Sequence, residues 1–193
     1  MKRQRGLTAI ELATVVTVLA VLSALAAPSF NNLIRTNQAS GLVNTFMADM
    51  RFARSEAIRR GGAVVMCRSD APEAASPTCG SGSGPGGNGW VSGWLVFEDR
   101  DNSGAFNSGD QLLRVQAAIP TVNTFLEAGG SSSTKFPFTP TGRLRGVSSA
   151  TQLQVGSSPT FSNSQQRTLC VSPSGRVRVV GDGLTSCSSA TDR

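Results

Sequence analysis

The chain contains no histidine and no tyrosine, only two tryptophans and nine phenylalanines, and charged side chains make up just 16% of its 193 residues. Without histidine, Ser-His-Asp and Cys-His nucleophile systems and the commonest zinc ligand are excluded, so the usual hydrolase chemistries lose their general base. The expectation is a protein that is not an enzyme and uses no cofactor. Scarce aromatics argue further against a stacking platform for single-stranded nucleic acid. Plentiful instead is glycine, at 21 residues, alongside serine and threonine, with 39% of the chain apolar. That balance predicts one loop-rich β-domain with a sizeable core plus an appendage, and disfavours a second full domain.

The appendage is the first thirty residues. A basic hexapeptide, Met1-Lys2-Arg3-Gln4-Arg5-Gly6, precedes a nearly uninterrupted apolar run over residues 7–27. At about 1.5 Å per residue such a helix spans about 30 Å, the thickness of a bilayer's hydrocarbon core, and the positive flank stays cytoplasmic. The remainder is then exported. Ser23-Ala24-Leu25-Ala26-Ala27 could serve an ordinary secretory signal as its cleavage site. Against that reading stands Glu11, an ionisable group inside the apolar run, where it costs a few kcal/mol and needs a partner.

Gly6-Leu7-Thr8-Ala9-Ile10-Glu11-Leu12 resembles the G-F-T-x-x-E-L processing motif of type IV pilins and type II secretion pseudopilins, with Pro28 where they place a helix-bending proline. Leu7 replaces the usual Phe. The resemblance implies cleavage between Gly6 and Leu7 by a prepilin peptidase, N-methylation of the new terminus, and pairing of the Glu11 carboxylate with a neighbouring pilin subunit's terminal amine. It also implies an α+β pilin-like fold, with a long N-terminal helix packed on two small antiparallel sheets. Residues 1–6 become a leader, 7–27 a transmembrane and assembly helix, 28–60 its periplasmic half, and 61–193 a β-domain. The protein would sit in the inner membrane with a single pass and a periplasmic C-terminal domain, and pass from there into a pilus.

Residues 29–60 read as one amphipathic helix, since Leu42, Phe46, Met50, Ala53 and Ala57 recur at three- and four-residue spacing and Gly61-Gly62 supplies the stop. Ala53-Arg54-Ser55-Glu56-Ala57-Ile58 resembles the helix end of the GspH/FimT branch of minor pilins and pseudopilins, and Gly93-Trp94-Leu95-Val96-Phe97 with its following acidic hairpin extends that likeness. Strands are predicted over residues 63–67, 94–97, 111–115, 152–155, 168–171 and 176–180, with weaker candidates near Phe136 and Phe161. Residues 76–89, rich in Gly and Ser, read as a mobile loop, and the tail after Ser188 should fray.

Four cysteines, Cys67, Cys79, Cys170 and Cys187, lie on the exported side, where oxidation is expected. Three pairings are possible; Cys67–Cys79 with Cys170–Cys187 is favoured because each closes a short loop. Zinc spacing is absent. Asp99, Asp101, Ser103, Gly104, Asn107 and Asp110 match the spacing of a calcium loop, with acids at its first, third and twelfth positions. Strand-like flanks and ordinary turn chemistry favour a solvated connection, so no metal site is predicted.

The formal charge of +6 falls to +3 once Lys2, Arg3 and Arg5 are removed, and what remains is unevenly spread. Residues 61–129 hold three basic and seven acidic groups, net −4, whereas residues 130–193 hold seven basic and two acidic groups, net +5. Within the basic part, Gly142-Arg143-Leu144-Arg145 and Gly175-Arg176-Val177-Arg178 each carry two arginines two residues apart, which on a strand share a face. Arginine's planar fork suits phosphate oxygens. A lone pair of this kind is more often a solubilising edge. Gly175-Arg176-Val177-Arg178, however, resembles the G-R-x-R element near the C-terminus of FimT-type minor pilins, which bind DNA during natural transformation. The resemblance implies non-specific, backbone-directed DNA binding by Arg176 and Arg178; charge alone extends the stripe to Arg143, Arg145, Lys135 and Arg167. The alternative is a structural minor pilin or type II secretion pseudopilin that binds no DNA.

Overall fold

In this computed structural model the described residues are 8–127, 134–147, 149–183 and 185–187, with the side chains of residues 25–29 left aside. Among the described residues one α-helix, α1 (Ala9–Arg60), starts at a reciprocal cap. The Thr8 backbone N–H and hydroxyl both donate to Glu11 Oε2 at 2.8 Å, and the Glu11 N–H donates back to the Thr8 hydroxyl at 3.3 Å. This is a capping box, with two otherwise orphaned donors satisfied reciprocally. The helix ends at Gly61, whose φ of 61° is the left-handed conformation a helix stop favours.

The chain divides into two units, Met1–Arg35 and Thr36–Arg193. In the first, Ile10, Leu12, Val15, Leu19 and Leu22 are each more than half exposed. Among the described residues no helix is long and apolar enough to cross a membrane. The described apolar side chains run from Ala9 to Ala24, about 24 Å of helix against a hydrocarbon core of about 30 Å. The expected span over residues 7–27 also needs Leu7 and residues 25–27, which lie outside the described side chains, as do Gly6 and Pro28.

In the second unit, Ala39, Leu42, Val43, Phe46, Met50, Ala53 and Ala57 form one buried stripe of α1. The stripe begins at Ala39, later than the amphipathic pattern expected from residue 29: Phe30, Leu33 and Ile34 are exposed. Among the described residues eight strands follow: β1 (Val64–Arg68), β2 (Trp94–Glu98), β3 (Gln111–Gln116), β4 (Phe125–Glu127), β5 (Lys135–Phe138), β6 (Thr151–Val155), β7 (Arg167–Val171) and β8 (Val177–Gly181). They form two four-stranded antiparallel sheets, ordered β3-β2-β1-β5 and β4-β6-β7-β8. Phe161, a candidate strand position, lies instead in a turn region, where its ring is buried in the core.

Phe46 is the hub between helix and sheets, meeting Trp90, Trp94, Phe125 and Phe136 edge-on at centroid distances of 4.8 to 6.1 Å. Each such ring contributes about 1.5–3 kcal/mol by burial, with more from edge-to-face geometry. A polar knot sits beside this cluster. Asp49, buried, accepts from Trp94 Nε1–H at 2.8 Å and from Arg114, whose guanidinium lies 4.1 Å from the Phe52 ring centroid.

Residues 76–89 form a loop, as their composition predicts, with one 3₁₀ turn at Pro85–Gly87. The segment is tied down by Arg68, a 1% exposed side chain that donates to Ser81 O at 2.6 Å and also engages Asp70 and Ser92. Gly80 N–H returns to Arg68 O at 2.7 Å, and Cys79 is disulfide-bonded to Cys67 with Cα atoms 5.5 Å apart. The second disulfide joins Cys170 of β7 to Cys187, with Cα atoms 5.8 Å apart.

Candidate nucleic-acid interface

The two Gly-Arg-x-Arg elements, thirty-three residues apart in sequence, lie against each other. The first is not a strand, contrary to expectation: Gly142 N–H donates to Thr139 O and Thr139 N–H to Arg143 O, both at 2.8 Å, closing a turn after β5. Leu144 is buried beneath that turn, and its N–H donates to Pro173 O at 3.0 Å. The second element opens at the β7–β8 hairpin, where Ser172 N–H bonds Arg176 O at 2.9 Å. Glycine is required at both turns. Gly142 and Gly175 have φ of 73° and 76°, and a side chain on Gly175 would come within 2.6 Å of Gly142 O. A Cβ on Gly142 would meet Ile58 and Arg54 of α1 at 2.8 and 2.9 Å. Arg54, assigned from sequence to another helix face, is therefore a half-buried cation beneath the first turn; no local signal could have placed it there.

The six predicted cations separate sharply. The Arg143 and Arg176 guanidinium groups are exposed and make no ion pair or hydrogen bond among the described residues. Arg178 is half-buried on edge strand β8, directly opposite Cys170, so the second disulfide braces its neighbour. The other three are engaged elsewhere. Arg167 donates to Ser164 O and Gln166 O, each at 2.8 Å. Lys135 donates to Gly104 O at 3.2 Å. Arg145 bonds Asn102 Oδ1 at 3.1 Å and lies 3.7 Å from Asp99 Oδ2. Charge addition along the sequence had placed all six on one stripe. In the fold, Lys135 and Arg145 turn instead to the acidic connection between β2 and β3.

That connection, residues 99–110, is mostly exposed, as expected of a solvated turn, but Asp99 and Gly104 within it are buried. Asp99 is only 2% exposed, and burial pushes its carboxyl above the usual carboxylate range, against the lowering effect of the Gly104 N–H that donates to it. Asp101, at the surface, is held below that range, chiefly by the Ser103 N–H. At the end of α1, hydrogen bonds from Arg59 and Arg60 hold the Glu56 carboxyl down to about 2. Arg60 also reaches Glu98 Oε2 at 2.7 Å, fastening the helix end to β2.

A long helix packed on two antiparallel sheets, stapled by two disulfides, defines a pilin-like α+β protein. Two crystal forms of the type IV minor pilin FimU from Pseudomonas aeruginosa (strain PAO1) share this fold. One matches at 18% identity and a TM-score of 0.51, covering 75% of this chain and 89% of that one. The other matches at 17% and 0.50, covering 73% and 91%. No curated protein matches the sequence. The model of the family described as Type II transport protein GspH matches residues 42–175. The chain belongs to this GspH family, whose members are structural subunits and not enzymes. Membership implies a membrane-anchored, periplasmic or pilus location.

Proposed function

We propose that the protein is a minor type IV pilin that assembles with other pilin subunits and binds DNA non-specifically during uptake in natural transformation. The observation that carries this reading is the junction of the two glycine-arginine turns, where Arg143 and Arg176 are exposed on abutting loops with no internal counter-charge among the described residues. Exposed, unpaired arginines on rigid glycine turns can each neutralise a phosphate without giving up a structural bond. Arg178 flanks them from β8. Base-edge readout is not expected of so small a contact set, so recognition is of the backbone.

The N-terminal part of the proposal rests on motif. Prepilin peptidase cleaves after Gly6, the terminus at Leu7 is methylated, and residues 7–27 anchor the chain in the inner membrane before assembly. The exposed apolar side chains of the first unit suit lipid or a neighbouring subunit's helix. Glu11, satisfied by Thr8 within its own chain, exchanges that cap for a neighbour's terminal amine. The description of the matching family as a type II transport protein favours a second reading, a pseudopilin of the secretion system without DNA binding.

An electrophoretic mobility assay with the full chain in non-ionic detergent and unrelated duplex sequences separates the two. DNA-binding predicts similar, salt-sensitive retardation of every sequence, with a log–log salt slope of about −2.7 for three phosphate contacts. No retardation at low salt favours the secretion reading.

A further inference from the structure

The connection between β2 and β3 is twelve residues long, from Asp99 to Asp110, and every residue of it lies outside the two strands. Ordinary hairpin connections run to about five residues, so one of twelve residues without secondary structure is long for a compact domain. Its sequence places oxygen-bearing groups at the first, third, fifth, ninth and twelfth positions, glycine at the sixth, and a backbone carbonyl, Ala105 O, at the seventh. Those are the positions from which a twelve-residue loop supplies ligands to calcium.

The fold brings the three carboxylates together. One oxygen each from Asp99, Asp101 and Asp110 lies within 4.8 Å of the others. Two oxygens on opposite sides of one calcium ion, each at about 2.4 Å, stand about 4.8 Å apart, so the cluster already has the span of a coordination sphere. A second observation is independent of the clustering. Asp99 is 98% buried, yet its Oδ1 accepts no hydrogen bond, while Oδ2 takes the Gly104 N–H at 3.0 Å. A buried carboxylate oxygen left without a donor costs several kcal/mol unless a cation or proton meets it. The Asp99 carboxylate faces that of Asp101, which offers no proton of its own when ionised.

Nearby cations do not fill this role. Arg145 reaches the loop from outside, through Asn102 Oδ1 and the other Asp99 oxygen, and Lys135 bonds a backbone carbonyl, Gly104 O. Asp99, Asp101 and Asp110 against Arg145 and Lys135 leave a net charge of −1, and Arg100 of the same loop is paired with Glu98 outside it. Phe106, at the eighth position, anchors the loop by packing on Phe97 at a centroid distance of 5.3 Å, so the ligand positions are held by the core.

We infer that residues 99–110 bind one calcium ion, with Asp99, Asp101, Ser103 and Asp110 supplying side-chain oxygens and Ala105 its carbonyl, and with the Asn107 amide, whose Nδ2 now donates to Asp101 Oδ2 at 3.0 Å, turning its oxygen inward on binding. The choice of calcium over magnesium follows from an all-protein set of six oxygens, whereas magnesium keeps most of its waters. The inference is independent of DNA binding.

The test is calorimetric titration of the full, disulfide-intact chain in non-ionic detergent with calcium chloride alone. Saturable uptake of one ion per chain is expected, with a dissociation constant of about 10⁻³ M or tighter. At a tenfold excess over that constant, the melting temperature should rise by about 3–6 °C. Magnesium at equal concentration should give less than a tenth of the occupancy. Asp101→Asn with Asp110→Asn should weaken binding at least tenfold while leaving the circular dichroism spectrum unchanged. If that pair fails to fold, Asp101→Asn alone, at an exposed position, carries the same expectation. Arg145→Ala should leave calcium affinity equal or stronger, because it removes a competing cation. Absence of saturable uptake up to about 10 mM, or wild-type uptake by the Asp101 variant, overturns the inference.

Discussion

Residues 61–129 and 130–193 differ in more than the sign of their charge. In the first region all three arginines are absorbed by the fold: Arg68 meets Asp70, Arg100 meets Glu98 and Arg114 meets Asp49. In the second, Arg143 and Arg176 face outward without a counter-charge among the described residues, while Arg145 and Lys135 cross back, to Asp99 and to the Gly104 carbonyl. Paired charge serves architecture, and its removal should be read in stability. Unpaired charge adds little to stability and keeps its capacity for an external anion.

The sharpest test of the paired side is Asp49→Ala. The substitution strands the buried Trp94 N–H and leaves Arg114 without its carboxylate, so thermal unfolding should show a loss of about 3 kcal/mol. An unchanged melting temperature would erase the distinction between the two regions. Next in size is Cys170→Ser with Cys187→Ser, expected to cost about 2 kcal/mol, since the closed loop is short. The same variant should lower DNA affinity, because Arg178 sits opposite Cys170 and loses its brace.

A smaller effect is expected from pH. The Glu56 carboxyl is held down to about 2 by Arg59 and Arg60, below the ordinary value of 4.5. A depressed carboxyl contributes stability that is fully present above about pH 4.5 and is lost as pH falls toward 2. Because Arg59 is well exposed, the contribution is about 1 kcal/mol. Chemical denaturation at pH 7 and pH 2.5 should show a smaller acid loss in Glu56→Gln than in the parent; equal losses would assign the acid sensitivity to other carboxylates.

Much of the fold was legible because it is periodic. The α1 stripe from Leu42 to Ala57 repeats every three or four residues, and the strands of both sheets lie between glycine, proline and serine breaks. Strand β4 escaped notice because Phe125-Leu126-Glu127 is too short to show a period. The Gly142–Arg145 segment alternates like a strand, but the positive φ of Gly142 and the bond from Leu144 to Pro173 make it a turn. Composition marks residues 76–89 as a loop but does not show what tethers it, which is Arg68, a long-range partner in β1. The candidate site was half legible. Its glycine-arginine motifs stand out in sequence, whereas the diversion of Lys135 and Arg145 to the acidic loop, and the placement of Arg54 beneath Gly142, depend on tertiary contacts.

The smallest stability effect and the largest functional one should coincide in Arg143→Ala with Arg176→Ala, two exposed arginines without a partner among the described residues. Its melting temperature should lie within about 2 °C of the parent, corresponding to about 0.5 kcal/mol for a chain of this size. Measured by mobility shift across a salt series, the parent should bind unrelated duplexes alike with a slope of about −2.7, and the double variant should fall to about −0.9 with strongly reduced affinity. Duplex binding by the double variant at parental strength and slope would contradict the assignment of DNA binding to this arginine junction.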